Sequence, residues 1–488
     1  MKTLIYSLSL IFLPTFLVNA QGTKPPTKVE LVNVQVDADA AAKRLSEGIK
    51  FKTISNQDRT DFDENAFKEW HAFLEKTYPL THQTLKKEIL GDPRKFSLLY
   101  TWEGANKALA PVVLMGHQDV VPVVPGTESQ WEHDAYSGDI ADGYIWGRGS
   151  LDDKVMIMAI LESIEMHLKK GLKPERTIYL VFGQDEEVMG PEGVSQVVKE
   201  LESRGIKEIA MVLDEGLPLA PGQFPGIKAP TALIGTAEKG YLTLELKVSG
   251  PGGHSGMPPK NSNIGILALA ITKLEANPFP NRITDVVRDQ YKTMGPFLSE
   301  EQQKLIAKDD TFIEFMLTQP MTTAMIHTTT AVTMVNGGIK ENVLPPFASA
   351  LVNFRILQGE TVASVVEHVN KVIDDKRVTV TELPASIDPS PISSSTGPEF
   401  QLIEKTIRQT WGTPDLIVVP YLVIGGADAK YFAASPMTKN VYRFTALRVE
   451  SAADTQRWHG VNERVLITEY AKSIGFFYQF IGNLKELK

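Results

Sequence analysis

The sequence predicts an α/β domain with a mostly parallel central sheet, interrupted by an inserted α+β domain of ferredoxin-like order. Three observations lead there. Short apolar runs at Pro111–Met115, Thr177–Phe182 and Ile209–Leu213 alternate with helical stretches. Near Glu238 the pattern changes to strict alternation, with Leu242, Leu244, Leu246 and Val248 on one face and Thr243, Glu245 and Lys247 on the other. The length of 488 residues exceeds what one ordinary core holds.

The elements follow in order. The first twenty residues read as an export signal: Lys2, an apolar run from Leu4 to Val18, and Val18-Asn19-Ala20 as a small-x-small cleavage site. An uncleaved membrane anchor is the alternative, although the run is short for a spanning helix and Pro14 interrupts it. The first part of the α/β domain spans about 35–240. Within it, Ile140–Trp146 reads as a hairpin turning at Asp142-Gly143, and a helix is expected from about Asp152 to Lys170, apolar all round at its middle and stopped by Gly171. The inserted domain covers 241–385, with strands at Tyr241–Val248, Thr330–Val335, Ser349–Ile356 and Arg377–Leu383 and helices at Asn263–Ala276 and Val362–Asp375. The helical stretch Asn281–Met325, with a capping box at Ser299 and Gln302, reads as an elaboration of that domain. Asp388–Gly397 is the return linker, and 386–488 completes the first sheet.

Composition excludes several functions. A net charge of −9 without a basic run argues against nucleic acid and anionic membranes as partners. No stretch after residue 20 is apolar enough to span a bilayer, so a mature chain released after cleavage would be exported, either secreted or periplasmic. Absence of cysteine rules out disulfides, thiolate metal sites and a cysteine nucleophile, leaving His, Asp and Glu as metal ligands.

Acids and imidazoles gather where the three predicted strands end. His117 and Asp119 follow the first, in G-H-Q-D-V-V-P; Glu186 and Glu187 follow the second, in G-Q-D-E-E-V; Asp214 and Glu215 follow the third. Asp152 and Asp153 precede a helix in G-R-G-S-L-D-D-K, and His459 sits in R-W-H-G-V-N-E. Each has a plain reading on its own: a capped loop, a helix N-cap, a solvated acidic turn, a surface histidine. Ligands of open α/β sheets collect beyond the strands' carboxyl ends, so these endings can converge. Hard carboxylates with imidazoles and no thiol suit a hydrolytic zinc site, in which one carboxylate bridges two metals and another, uncoordinated, acts as base.

In number, placement and order these motifs resemble the co-catalytic dizinc peptidases that include carboxypeptidase S, aminoacylase, glutamate carboxypeptidase and succinyl-diaminopimelate desuccinylase. The carboxypeptidase S-like branch, with secreted N-acyl-amino-acid hydrolases, is nearest. The resemblance implies two Zn²⁺ per chain: His117 and Asp214 on one, Glu187 and His459 on the other, Asp152 bridging, with Asp119 orienting His117 and Glu186 as general base. It implies that the inserted domain is a lid, that P-G-G-H-S-G-M-P presents His254 to the oxyanion, and that Asn342 and Arg355 bind substrate. Gly425 and Gly426 match a substrate-carboxylate loop, although Ala427 replaces the usual Thr and Lys430 stands where Arg is common.

The function so implied is hydrolysis of a peptide or N-acyl amide bond beside a free carboxylate, with a small peptide or N-acyl amino acid as partner and homodimerisation through the lid allowed. The rival is a non-catalytic periplasmic protein that binds metal or peptide. Retention of Glu186 speaks against it, because binding metal does not require an uncoordinated acid.

Overall fold

A computed structural model of the protein describes residues 29–487 apart from Gln57, so the export segment at 1–20 lies outside the described residues. The larger sheet runs in the order Lys86–Leu90, Ser97–Trp102, Ile178–Gly183, Val112–His117, Met211–Asp214, Val441–Arg443, Pro230–Glu238, Ile417–Val423, with Ala220–Pro221 joined to Pro230–Glu238. The four strands from Ile178 to Val441 are mutually parallel, as are the last two. Antiparallel pairings occur at the Lys86 edge and where Val441–Arg443 meets Pro230–Glu238.

Every residue of the Val112, Ile178 and Met211 strands is buried, as expected of a parallel sheet covered on both faces. Alternation divides them. Leu114, Leu180 and Leu213 pack under the helices Lys154–Lys169, Pro398–Trp411 and Ile467–Asn483, while Met115, Val181 and Val212 pack under Val194–Ser203 and Ala429–Ala434. The three strands predicted from sequence are immediate neighbours, and their carboxyl ends therefore open onto one crevice.

The expected hairpin forms between Ile140–Ala141 and Tyr144–Trp146. Asp142 and Gly143 both take positive φ, 52° and 81°, which matches the twist of the flanking strands. The central helix Lys154–Lys169 is buried from Lys154 through Glu165. Burial of Val155, Ile157, Ile160, Leu161 and Ile164 contributes about 1.5–3 kcal/mol each. Gly171, at φ 72°, ends it, with the Gly171 and Leu172 amides returning to the Leu168 and His167 carbonyls.

The second sheet has the order Thr329–Gly337, Phe347–Ile356, Gly240–Ser249, Val378–Glu382, all antiparallel. Two helices, Asn263–Ala276 and Val362–Ile373, pack on the face carrying Leu242, Leu244, Leu246 and Val248. This is the ferredoxin-like arrangement. The junction with the larger sheet is Lys239, between adjacent strands of the two sheets, and the return chain bridges Ile387 to Tyr241 before Ser390 donates to the Glu238 carbonyl at 3.0 Å.

One expectation fails here. The helical stretch Asp285–Ala324 does not elaborate the inserted domain. Val286, Val287, Tyr291, Phe312 and Met316 pack instead against Leu233, Val419 and Tyr421 of the larger sheet. The chain leaves the inserted domain, covers the far end of the larger sheet and returns. The Ser299 and Gln302 capping box is present.

Candidate metal centre and active-site cavity

His117 is the last residue of its strand, and its Nε2 lies 2.8 Å from Asp152 Oδ1 and 3.6 Å from Glu215 Oε1. Its Nδ1 lies 2.9 Å from the Asp119 carbonyl and 3.5 Å from that residue's carboxylate, which fixes the ring. Asp119 does more: its two carboxylate oxygens accept the amides of Glu186 and Glu187, at 3.2 and 3.1 Å, and so hold the turn bearing both acids. On the far side of Asp152, His459 Nε2 lies 3.1 Å from Asp152 Oδ2 and 3.1 Å from Glu187 Oε2.

These contacts define two groups whose ligand atoms lie within 4.8 Å of one another: His117, Asp152 and Glu215, then Asp152, Glu187 and His459. Asp152 belongs to both, one oxygen to each. Asp153 does not cap the following helix; its Oδ2 accepts the His117 amide at 3.3 Å. Lys154 offers no counter-charge either, because its ammonium donates to the Gly48 and Phe51 carbonyls.

Asp214 needs correction. Both its oxygens accept backbone amides, from Glu215 at 2.9 Å and from Ala429 at 2.7 Å, and it joins neither group. Strand alternation is the reason: Asp214 lies on the face of Val212, beneath the helix Ala429–Ala434, and the next residue reaches the crevice. Glu215 takes the place that the sequence reading gave to Asp214.

The electrostatics call for a cation. Burial and the neighbouring Asp152 charge push Glu215 well above the usual carboxylate range and push Glu187 up too. Asp152 is held below that range against its burial by hydrogen bonds from His117 and His459. His459 is raised to about 10 by hydrogen bonding to Asp152 and Glu187. Glu187 Oε1 has no hydrogen-bond partner among the described residues. Three carboxylates and two imidazoles so arranged fit divalent cations.

Glu186 belongs to neither group but lines the same cavity of about 450 Å³ as Asp152, Glu187, Glu215 and His459. Burial pushes its carboxyl up to about 8. Arg355, Gly425 and Gly426 form part of the cavity wall, and Leu217, Tyr421, Val423 and Ile424 give it an apolar side. Arg355 lies over the Tyr241 ring at 4.9 Å, with no carboxylate within salt-bridge distance among the described residues. Behind the Gly425-Gly426 loop, Asp428 is buried against Gly183 and Gly190; a Cβ at those glycines would lie 2.1 and 2.2 Å from its carboxylate oxygens.

The two site residues expected from the inserted domain besides Arg355 are absent from the cavity wall. His254 is exposed on a two-residue strand, Gly253–His254, paired with Val343–Leu344, and its Nδ1 accepts the Gly256 amide at 2.9 Å. Asn342 sits beside that ribbon, its side chain engaged by Lys340 at 2.8 Å and its carbonyl by the Ser255 amide at 3.2 Å. The inserted domain thus keeps His254 and Asn342 together, but apart from the acids.

Similarity to known proteins identifies the family. Residues 113–483 match Peptidase family M20/M25/M40. The chain is 39% identical to "Probable carboxypeptidase S-like 2" of Dictyostelium discoideum, covering 91% of this chain and 85% of that protein. It is 36% identical to "N-fatty-acyl-amino acid synthase/hydrolase PM20D1" of Xenopus tropicalis (91% and 87% covered) and 32% identical to "Carboxypeptidase S" of Saccharomyces cerevisiae (93% and 84%). In fold it is similar to the M20 family metallo-carboxypeptidase Sso-CP2 from Sulfolobus solfataricus, with a TM-score of 0.69 and 19% identity over 93% of this chain and 100% of that one. A continuous family match, relatives above 30% identity along nearly the whole chain and a cluster of side chains able to hold a metal ion lead to one assignment: the chain belongs to Peptidase family M20/M25/M40 and is a hydrolase of the metallopeptidase type.

Proposed function

We propose that the enzyme is a dizinc amidohydrolase that removes an acyl or peptidyl group from an amino acid whose carboxylate is free. The observation that carries this reading is the pair of ligand groups sharing Asp152, with Glu186 uncoordinated in the same cavity. His117, Asp152 and Glu215 would hold one Zn²⁺, and Asp152, Glu187 and His459 the other. Two such ions would supply Lewis acidity, acidifying a water and drawing charge from the scissile carbonyl.

The remaining work falls to the chain. Glu186, its proton affinity raised by burial, takes a proton from the attacking water and delivers it to the leaving amine. Arg355 offers a two-pronged donor to the substrate carboxylate, and the Gly425-Gly426 loop leaves space beside it. The apolar wall of Leu217, Tyr421, Val423 and Ile424 suits an acyl chain or an apolar side chain. The family relatives named for N-fatty-acyl amino acids and for carboxypeptidase S support both substrate classes. His254 and Asn342 join when the lid swings on Lys239 and the return chain, His254 then donating to the oxyanion.

Export is supported by the apolar segment Leu4–Val18, and no helix of the described residues is long and apolar enough to cross a membrane. Pairing of two lids is supported by the Thr329–Gly337 strand, a sheet edge that exposes Met334 and Val335, and by the nearby Ile264. The test is hydrolysis of N-acyl amino acids of graded chain length, dipeptides and their carboxy-amidated counterparts, with and without zinc. Cleavage of free-carboxylate substrates only, lost on chelation, is expected. Equal cleavage of amidated substrates would contradict the assignment.

A further inference from the structure

Asp152 and His459, two members of one ligand group, lie on loops far apart in sequence, and a fully buried ion pair ties those loops to each other. Asp152 lies in the segment Gly147–Asp153, and His459 in the segment 456–463. Glu463 extends from the second loop into the first. Its Oε1 accepts the amides of Gly149 at 2.9 Å, Leu151 at 2.7 Å and Asp152 itself at 3.2 Å. Arg148 extends the other way. Its Nη1 meets Glu463 Oε2 at 2.6 Å, and its Nη2 donates to the Gly460 carbonyl at 3.0 Å, one residue past His459. A backbone bond from the Gly147 amide to the Glu463 carbonyl, 2.8 Å, closes the clasp.

His459 needs such support. Its side chain is 58% exposed, so packing does not orient the ring. Its backbone takes a left-handed φ of 56°, followed at Asn462 by 59°, conformations that non-glycine residues hold only when their surroundings enforce them. What lies beneath this loop is Arg148, 2% exposed, and Glu463, 0% exposed. A buried pair that only bound two loops together would need one contact. Here a single carboxylate oxygen gathers three amides ending at the shared ligand Asp152, and the guanidinium fork fits a carboxylate and a carbonyl at once.

We propose that Arg148 and Glu463 are positioning residues which set the spacing of Asp152 and His459, and thereby the zinc affinity of the site formed by Asp152, Glu187 and His459. The proposal rests on the dizinc reading above. It assigns the pair no contact with substrate or with the reacting atoms. Outer partners of metal ligands commonly alter affinity by ~10–100-fold when changed, by relaxing ligand geometry.

The test titrates metal-free full-length protein with Zn²⁺ against a chromogenic chelator, comparing wild type, Arg148→Lys and Glu463→Gln, with thermal melting of each metal-free protein in parallel. Arg148→Lys keeps a cation facing Glu463 but lacks the second prong to Gly460. It should melt near the wild-type midpoint while one of two zinc ions binds ~10–100-fold more weakly, and excess Zn²⁺ should restore turnover. Glu463→Gln should weaken the same ion at least as much. Wild-type zinc affinity in both variants would overturn the proposal, as would an affinity loss that only follows a fall in metal-free melting temperature, which is what a purely structural clasp gives. A wild-type chain that binds no zinc would instead overturn the dizinc reading, and this proposal with it.

Discussion

The two domains contribute to the site in different states of readiness. In the larger domain, His117, Asp152, Glu187 and Glu215 converge from separate strand ends and loops, with ligand contacts of 2.8 to 3.6 Å around buried carboxylates. In the inserted domain, His254 and Asn342 are exposed, bonded within their own ribbon, and outside the cavity. Arg355 is the residue of the inserted domain that lines the cavity, because its strand lies near the junction of the two sheets: it pairs with Tyr241, two residues beyond Lys239. On the proposed mechanism, metal chemistry is assembled on the larger sheet, whereas the transition-state contacts come from the inserted domain. Variants of the first group should lose metal or proton transfer, and variants of the second should lose turnover or substrate affinity with metal intact.

The largest effect is expected at Glu186. Glu186→Gln should lower kcat by ~10²–10⁴-fold with zinc content unchanged by elemental analysis, whereas Glu187→Gln should give up one zinc. An active Glu186→Gln enzyme would remove the base from the account. Next comes the lid: His254→Ala should reduce kcat by ~10²–10³-fold, as loss of one oxyanion donor does, with no change in zinc. If kcat is unaffected, the lid ribbon is a surface feature and the contrast between the domains collapses.

Arg355→Ala should cost ~2–5 kcal/mol of substrate affinity, read as a rise in KM for free-carboxylate substrates. Amidated substrates should distinguish wild type from variant far less. The smallest effect concerns assembly. Replacing Val335, on the exposed edge strand, by Lys should convert any lid-mediated dimer to monomer in light scattering while leaving kcat per chain within about two-fold, since a surface substitution typically moves stability by less than ~0.5 kcal/mol. A wild type that is monomeric at all concentrations would withdraw the dimer.

Much of this could be read from the chain because parallel strands carry a double signal. Val112–His117, Ile178–Gly183 and Met211–Asp214 are apolar runs that end in acids or imidazole, and neighbouring parallel strands bring such endings to one edge. The second sheet is equally legible, its alternation at Leu242–Val248 placing one face inward. Asp214 was misassigned because choosing between two adjacent acids requires knowing which face of the strand opens on the crevice, and sequence alternation supplies the period but not the phase. The Asp285–Ala324 helices were misplaced for a related reason: their apolar stripes show that they pack, not on which sheet. Nothing in the sequence pairs Arg148 with Glu463, because 315 residues separate them. The motif singles out His254, but a motif carries no information on its distance to the acidic cluster.

Separating Asp214 from Glu215 sharpens the metal half further. Glu215→Gln should lose a zinc, while Asp214→Asn should keep both and show its cost in melting temperature, the penalty of disturbing a buried carboxylate bonded to two amides being roughly 1–3 kcal/mol. The reverse pattern would restore the sequence assignment.

Stepwise zinc reconstitution of the metal-free enzyme, with bound metal and hydrolysis of an N-acyl amino acid measured at each step, tests the central claim most directly. Two ions should bind per chain, with turnover appearing as the sites shared by Asp152 fill. Full hydrolysis by a rigorously metal-free sample would contradict it.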